Sequence, residues 1–439
     1  MGQAILAGVP FGERLSGGVF VAAMLDRVAG RYESTLSHMR ILLILLAAML
    51  SSAAERRPIT PPGVVPIGPY SPGILTDDFL YVSGQGAKNA EGQIPPDLDR
   101  QLRQCFENVK TIVEAAGLTM EHVVYTQVYL TDASDEGPLN AVWKQYFPKS
   151  PPARSTIGVA RLPGTPVEMS AVAVRDLARK KVVVPPGYPS SSPLSPGVLA
   201  GERMYLSGFL GRDIATGRIP EDPAAQVDLA LDRMEATLKA AGLDFGHMVF
   251  VNPYLTDKVP MGAMNKVYAK RFEFGNTPAR ATIQVAGLPS GANIEFTGVA
   301  VTDLAKRRAV RPKNMEPSPT ASPCVFAGDT LFCSAKSGFI PGVNGGIYAS
   351  TVETQLRQTM RNLLDGLEEH GMNFSHVVAS NVYLDNLDEF ANMNGVYAEY
   401  FPKAPPARTT IQQLAPGKRQ ADGKGRWPTL EQISIIAVK

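Results

Sequence analysis

The spacing of hydrophobic positions changes along this chain in a fixed order. From Ile74 the run I-L-T-D-D-F-L-Y-V-S-G alternates around a polar turn, which predicts a β-hairpin. Leu98, Leu102, Cys105, Phe106, Val109, Ile112, Val113 and Ala116 then recur at helical spacing, and Gly117 stops the helix. A β-branched strand follows, then a second helix carrying Trp143 and Phe147. Two last strands flank Pro152-Ala153-Arg154 and end in the alternating run E-M-S-A-V-A-V. The order is ββαβαββ, an α+β unit in which both helices cover one face of a mixed sheet.

The same order returns twice. Tyr129-Leu130-Thr131-Asp132 reappears as Tyr254-Leu255-Thr256-Asp257 and as Tyr383-Leu384-Asp385. N-A-V-W-K-Q-Y-F from Asn140 becomes N-K-V-Y-A-K-R-F from Asn265 and N-G-V-Y-A-E-Y-F from Asn394. P-P-A-R-S-T-I-G becomes T-P-A-R-A-T-I-Q and P-P-A-R-T-T-I-Q, which places Arg154, Arg280 and Arg408 at one period. Long anchors in one order at one period indicate a triplicated module. The modules are assigned to residues 58–180, 181–308 and 309–439. An isolated module would leave the helix-free sheet face wet. Three modules close those faces against one another around a threefold axis, so a single-chain pseudo-trimer is expected. Short Pro-rich links near Val182 and Arg311 join the copies.

Hydrophobic residues make up 44% of the chain and charged residues 19%, ordinary values for a folded protein. The net charge of +2 gives no reason to expect nucleic acid or an anionic membrane as partner. From Met39, M-R-I-L-L-I-L-L-A-A-M-L-S-S-A-A has the basic, apolar and small-residue order of a secretory signal. Its apolar run falls short of the ~20 residues that span a bilayer. Residues 1–57 are therefore set aside as an N-terminal extension with a signal-like segment at 39–54. The expectation is an exported protein, periplasmic or secreted, without a stable membrane anchor; it is cytoplasmic if the segment is not processed. Cys105 falls on the apolar face of a helix. Cys324 and Cys333 face each other if Gly328-Asp329 is a two-residue turn. A disulfide and a reduced pair fit that spacing equally. No Cys/His spacing suits a metal.

The candidate chemistry lies in the repeated polar positions. The arginine after Pro-Ala has a planar fork suited to two-point capture of a carboxylate. Glu168 and Glu295 open otherwise apolar strands, where a carboxylate costs desolvation unless it has a task or a partner. Asn140, Asn265 and Asn394 start the second helix, as N-caps or as site residues. His122, His247 and His376 each precede the third strand and read as loop or packing residues.

The stretch P-A-R-S-T-I-G-V-A-R-L-P-G-T-P-V-E-M resembles the signature of the RidA (YjgF, endoribonuclease L-PSP) family. I-G-P-Y-S-P-G at Ile67, V-S-G-Q at Val82 and L-N-A-V-W at Leu139 extend the likeness. The resemblance implies a chorismate-mutase-like fold, trimeric assembly with sites between modules, and hydrolysis of 2-imino acids or enamines to 2-oxo acids and ammonia without metal or cofactor. It implies that Arg154 holds the substrate carboxylate and Glu168 positions the attacking water. Tyr70 would line the pocket, with Ser83, Gly84 and Asn140 around it. Thr156 stands where the family often has Cys. Arg280, Glu295, Asn265, Asn394 and Arg408 are the matching positions in the other copies.

The copies are unequal. Tyr70 corresponds to Leu194 and Ala321, and S-G-Q becomes S-G-F at Ser207 and S-A-K at Ser334. Aligning I-S-I-I-A-V with M-S-A-V-A-V puts Gln432 rather than Glu431 at the Glu168 position, with Glu431 turned to the other sheet face. An insertion from Gln412 to Pro428 either lies over a neighbouring site or is a solvated loop. Three functions compete: imine deaminase, non-catalytic binder of small carboxylates, and ribonuclease. The near-neutral charge and the lack of a basic aromatic patch weigh against the last.

Overall fold

The computed structural model describes residues 55–189, 192–313, 315–342, 345–414 and 417–439; the signal-like segment 39–54 lies outside them. The first module contains β1 (Arg57–Ile59), β2 (Gly73–Leu75), β3 (Phe79–Gly86), α1 (Leu98–Ala115), β4 (Val123–Leu130), α2 (Glu136–Tyr146), β5 (Ala153–Gly158) and β6 (Val167–Val174). The second contains β7 (Lys180–Val183), β8 (Gly197–Ala200), β9 (Arg203–Leu210), α3 (Pro223–Ala240), β10 (Met248–Leu255), α4 (Met261–Tyr268), β11 (Ala279–Arg280), β12 (Ile283–Gln284) and β13 (Ile294–Val301). The third contains β14 (Arg307–Val310), β15 (Cys324–Ala327), β16 (Thr330–Ser337), α5 (Val352–Glu368), β17 (Val377–Leu384), α6 (Phe390–Tyr400), β18 (Ala407–Gln412) and β19 (Glu431–Val438).

The expected ββαβαββ order is present three times, with one addition in every module and, in the second, the strand carrying the arginine broken into β11 and β12. The chain entering each module forms an extra edge strand, β1, β7 or β14, so the first sheet runs β1-β2-β3-β6-β4-β5 and the third β14-β15-β16-β19-β17-β18. The link near Val182 therefore begins as sheet, and the link at Arg311 follows directly on β14. Among the described residues, only the pairing of β4 with β5, and its counterparts in the other sheets, is parallel. The long helices start at caps: Asp97 and Asp222 accept first-turn N–H groups, as Thr351 does in the third copy, each worth ~1 kcal/mol.

Alternation along each strand divides the burial. In β3, Leu80 and Val82 join Phe106, Val109 and Trp143 in a core beneath the helices. Phe79 and Tyr81 point the other way, into one central cluster with Tyr205, Phe250, Tyr254, Phe332 and Tyr383 from the other modules. That shared cluster is the closure expected of a pseudo-trimer. Polar residues near the axis bond across modules, the Tyr254 hydroxyl donating to Gln127 Oε1 at 3.1 Å, while the Tyr205 hydroxyl is buried without a partner. They line a cavity of about 110 Å3 that includes Tyr129, Tyr254, Tyr383, Asn252 and Asn381. Backbone bonds stitch neighbouring modules, Gly158 N to Gly287 O at 2.8 Å and Gln412 N to Arg161 O at 3.0 Å.

Cys105 is buried, and Cys324 and Cys333 form a disulfide, the first of the two states the hairpin allows. The insertion after Gln412 folds onto its own module: Arg419 bonds Asp385 at 2.9 Å and Glu389 at 2.6 Å. Each histidine before the third strand completes a local cap, with Thr119 N, Asp244 N and Asn373 N donating to His122, His247 and His376. No helix among the described residues is long and apolar enough to cross a membrane.

Candidate functional site

The repeated arginines lie at the module boundaries, and each is fixed at its backbone by the next module. Arg154 N donates to Ser207 Oγ at 2.9 Å, Arg280 N to Ser334 Oγ at 2.8 Å and Arg408 N to Ser83 Oγ at 2.8 Å. Those serines are held in turn: Ser83, Ser207 and Ser334 donate to the carbonyls of Ser71, Ser195 and Ser322. Three clefts result, between the first and second, second and third, and third and first modules.

Within each cleft the guanidinium lies over an aromatic ring of the preceding helix, 4.6 Å from Trp143, 5.1 Å from Tyr268 or 4.9 Å from Tyr397. An asparagine orients it: Arg154 Nη2 donates to Asn140 Oδ1 at 2.6 Å, and Arg280 Nη1 to Asn265 Oδ1 at 2.8 Å. Asn394 stands against Arg408, and both crowd the space beside Gly68, where a methyl would lie 2.8 Å from the guanidinium. These asparagines are not N-caps. α2 starts at Glu136 and α6 at Phe390, so Asn140 and Asn394 lie one turn inside their helices.

The residues carried over to the first copy do not form one constellation. Arg154 meets the acid of the second module, because Ser155 Oγ donates to Glu295 Oε1 at 2.5 Å and the Thr156 N–H also bonds that carboxylate. Glu168, Tyr70, Ser83 and Gly84 face Arg408 instead; the Arg408 guanidinium is 5.4 Å from the Tyr70 ring. The reason is geometric. β5, which carries the arginine, is the edge of its own sheet farthest from β3, and that edge meets β9, the counterpart of β3 in the second module, as β11 meets β16 and β18 meets β3. Completeness therefore belongs to a boundary rather than to a copy. The third copy, poorest by its own residues, supplies Arg408 and Asn394 to the cleft that also holds Tyr70 and Glu168.

Both acids lie flat over a glycine. A methyl on Gly84 would sit inside the Glu168 carboxylate, and one on Gly208 inside that of Glu295. Burial raises each carboxyl to about 8, with Arg408 opposing the rise at Glu168 and the Ser155 hydrogen bond opposing it at Glu295. Burial also lowers Arg154 to about 10 and pulls Arg408 and Arg280 below the usual guanidinium range. Among the described residues, Arg154 Nε and Nη1, Asn394 Oδ1 and the hydroxyls of Thr156, Thr282 and Thr410 are buried without a hydrogen-bond partner. Groups of that kind cost free energy unless a ligand or water meets them.

The aromatic floors Trp143, Tyr268 and Tyr397 belong to the aromatic pairs of the second helix, Trp143/Phe147, Tyr268/Phe272 and Tyr397/Phe401, to which the sequence alone gives no site role. Their signal is a polar-tipped aromatic three residues after each asparagine. Tyr188, on the segment entering the second module, stands near Arg154 and Arg233, a role its lone position could not reveal. No group of three or more His, Cys, Asp or Glu suited to a metal occurs among the described residues.

Fold and clefts together define a class: three like modules closed in one chain, with an arginine at each boundary and a buried acid at two. The profile of the family described as Endoribonuclease L-PSP matches residues 62–175, 188–302 and 313–417. The chain belongs to this family, the RidA/YjgF group. A RutC family protein of Pyrococcus horikoshii is 40% identical over 115 residues, covering 25% of this chain and 90% of its own. Another, of Aquifex aeolicus, is 40% identical over 120 residues, covering 26% of this chain and 96% of its own. The crystal structure of the YjgF gene product of E. coli is 38% identical and covers 27% of this chain and 99% of itself, with a TM-score of 0.26. The two RutC family relatives match a stretch of this chain about one module long.

Proposed function

We propose that the chain hydrolyses small 2-imino acids, or their enamine tautomers, to 2-oxo acids and ammonia. The observation that carries this reading is the pairing, across two boundaries, of a buried arginine with a buried carboxyl raised to about 8; at the first of them the Nε and Nη1 donors of Arg154 are also unmet. The arginine takes the substrate carboxylate in a two-point clamp. Glu168 or Glu295 removes a proton from water as its oxygen adds to the C=N carbon, and returns that proton to nitrogen. The same carboxylate then takes the hydroxyl proton of the resulting carbinolamine and passes it to nitrogen as the C–N bond breaks, giving the 2-oxo acid and ammonia. An imine is already electrophilic, so orientation and one proton carrier suffice. The threonine hydroxyl two residues after each arginine supplies a further polar contact.

The test generates 2-iminobutyrate in situ and follows ammonia release with the full chain. The wild type is expected to accelerate release, and Arg154→Ala/Arg408→Ala to lower the effect at least ~100-fold, the scale of lost positioning. Release no faster than in buffer with the wild type would sink the proposal.

A further inference from the structure

The boundary between the second and third modules keeps the clamp and lacks the acid. Arg280 is anchored by Ser334 Oγ at 2.8 Å, oriented by Asn265 Oδ1 at 2.8 Å and placed 5.1 Å from the Tyr268 ring. The Thr282 hydroxyl is buried there without a partner. The acid position is set by register. Glu168 pairs with Tyr129 and Glu295 with Tyr254; Gln432 pairs with the equivalent Tyr383. Glu431 is one residue off and buried on the helix side, where Thr359 Oγ1 donates to it.

A second change accompanies the first. The acids of the other clefts occupy the space left by Gly84 and Gly208. The equivalent residue in the third module is Ala335, whose methyl takes that space. The Arg280 cleft thus lacks both the carboxyl and the room for one, while the serine anchor, the asparagine and the aromatic ring that hold the arginine are all present, although its strand is broken into β11 and β12. An amide takes no proton from water and does not repel a bound carboxylate. Removal of the acid therefore disables hydrolysis and leaves the guanidinium unopposed toward an anion.

We infer that the Arg280 cleft is a binding-only site for a small 2-oxo or 2-imino carboxylate, distinct from two hydrolytic clefts in the same chain. The inference rests on the reading of these arginines as carboxylate clamps. Arg280, Asn265 and Thr282 hold the ligand; Gln432 and Ala335 prevent its turnover.

The experiment counts bound 2-oxobutyrate by titration calorimetry on the full chain and measures imine hydrolysis on the same samples. Arg154→Ala/Arg408→Ala should bind one equivalent and hydrolyse no faster than buffer. Adding Arg280→Ala should remove that equivalent. Glu168→Gln/Glu295→Gln, which leaves every arginine in place, should bind three equivalents with turnover lowered at least a hundredfold. Placing Ala335→Gly/Gln432→Glu in the Arg154→Ala/Arg408→Ala background should create measurable hydrolysis. The inference is overturned if Arg154→Ala/Arg408→Ala binds nothing while the glutamine variant binds only two equivalents. It is equally overturned if about a third of wild-type turnover survives in Arg154→Ala/Arg408→Ala, or if its bound equivalent persists without Arg280. Should the wild type prove inactive, the hydrolytic reading fails, yet the count of bound 2-oxobutyrate still decides this one.

Discussion

Glu168 and Glu295 reach the same acidity by burial, although their surroundings differ: one faces Arg408, the other is tied to Ser155 and Thr156 of the neighbouring module. A carboxyl near 8 must lose its proton before it can take one from water. The rate constant kcat/KM for imine hydrolysis is therefore expected to rise through pH 6 and 7 and level off near 8, and to lose that rise in Glu168→Gln/Glu295→Gln. Stability should run the opposite way. In the unfolded chain these groups titrate near the ordinary value of 4.5, and in the fold at about 8. Between those limits the folded state binds more protons, so unfolding free energy falls with rising pH, by up to ~1.4 kcal/mol per unit for each carboxyl. A profile flat from pH 6 to 8 would contradict the assignment of either acid as base. The arginines, acids and asparagines could be picked out in the sequence because they repeat. Which of them share a cleft could not, because that depends on which sheet edge meets which neighbour.

At the scale of elements, the helices and long strands were legible from period alone, and the shift from Glu431 to Gln432 from alternation. The three short edge strands were not. R-P-I, K-K-V-V and R-R-A-V carry too few apolar positions to show a period, and they pair only because a sheet edge is there to receive them. The disulfide shows how compensation between elements can be read once the copies are laid side by side. Cys324 and Cys333 take the places of Gly73 and Val82, and Gly366 of α5 takes the place of Ile112. Ile112 packs over Gly73 in the first module, whereas in the third a methyl on Gly366 would lie 3.0 Å from Cys324 Sγ. The helix has given up a side chain where the hairpin gained two sulfurs. For so short a loop the bond is worth ~2 kcal/mol. Cys324→Ser/Cys333→Ser should lower the unfolding free energy by about that amount, read from urea denaturation under non-reducing conditions. An unchanged midpoint would mean that the bond merely forms where the hairpin already holds.

For the whole molecule, the ring closes only when the third module returns to the first. Ser71 N donates to Pro406 O at 3.1 Å and Ser71 Oγ to Pro405 O at 2.6 Å, joining residues more than three hundred positions apart. The helices cover each module's outer face, while its inner face is covered only by the other two, through one cluster containing Tyr81, Tyr205 and Phe332. Every inner face is used within one chain, so none remains to recruit a second copy. Light scattering is expected to give the mass of a single chain, 47.1 kDa before any processing. A fragment comprising residues 58–308 keeps two modules and exposes the inner faces they would have turned to the third. That fragment also strands Tyr70 and Glu168 without Arg408. It should self-associate in the same experiment, because an exposed apolar face of that kind drives burial against whatever like surface is present. A fragment that stayed monomeric and unfolded as cooperatively as the full chain would show that two modules cover each other unaided, and that the third closes no core.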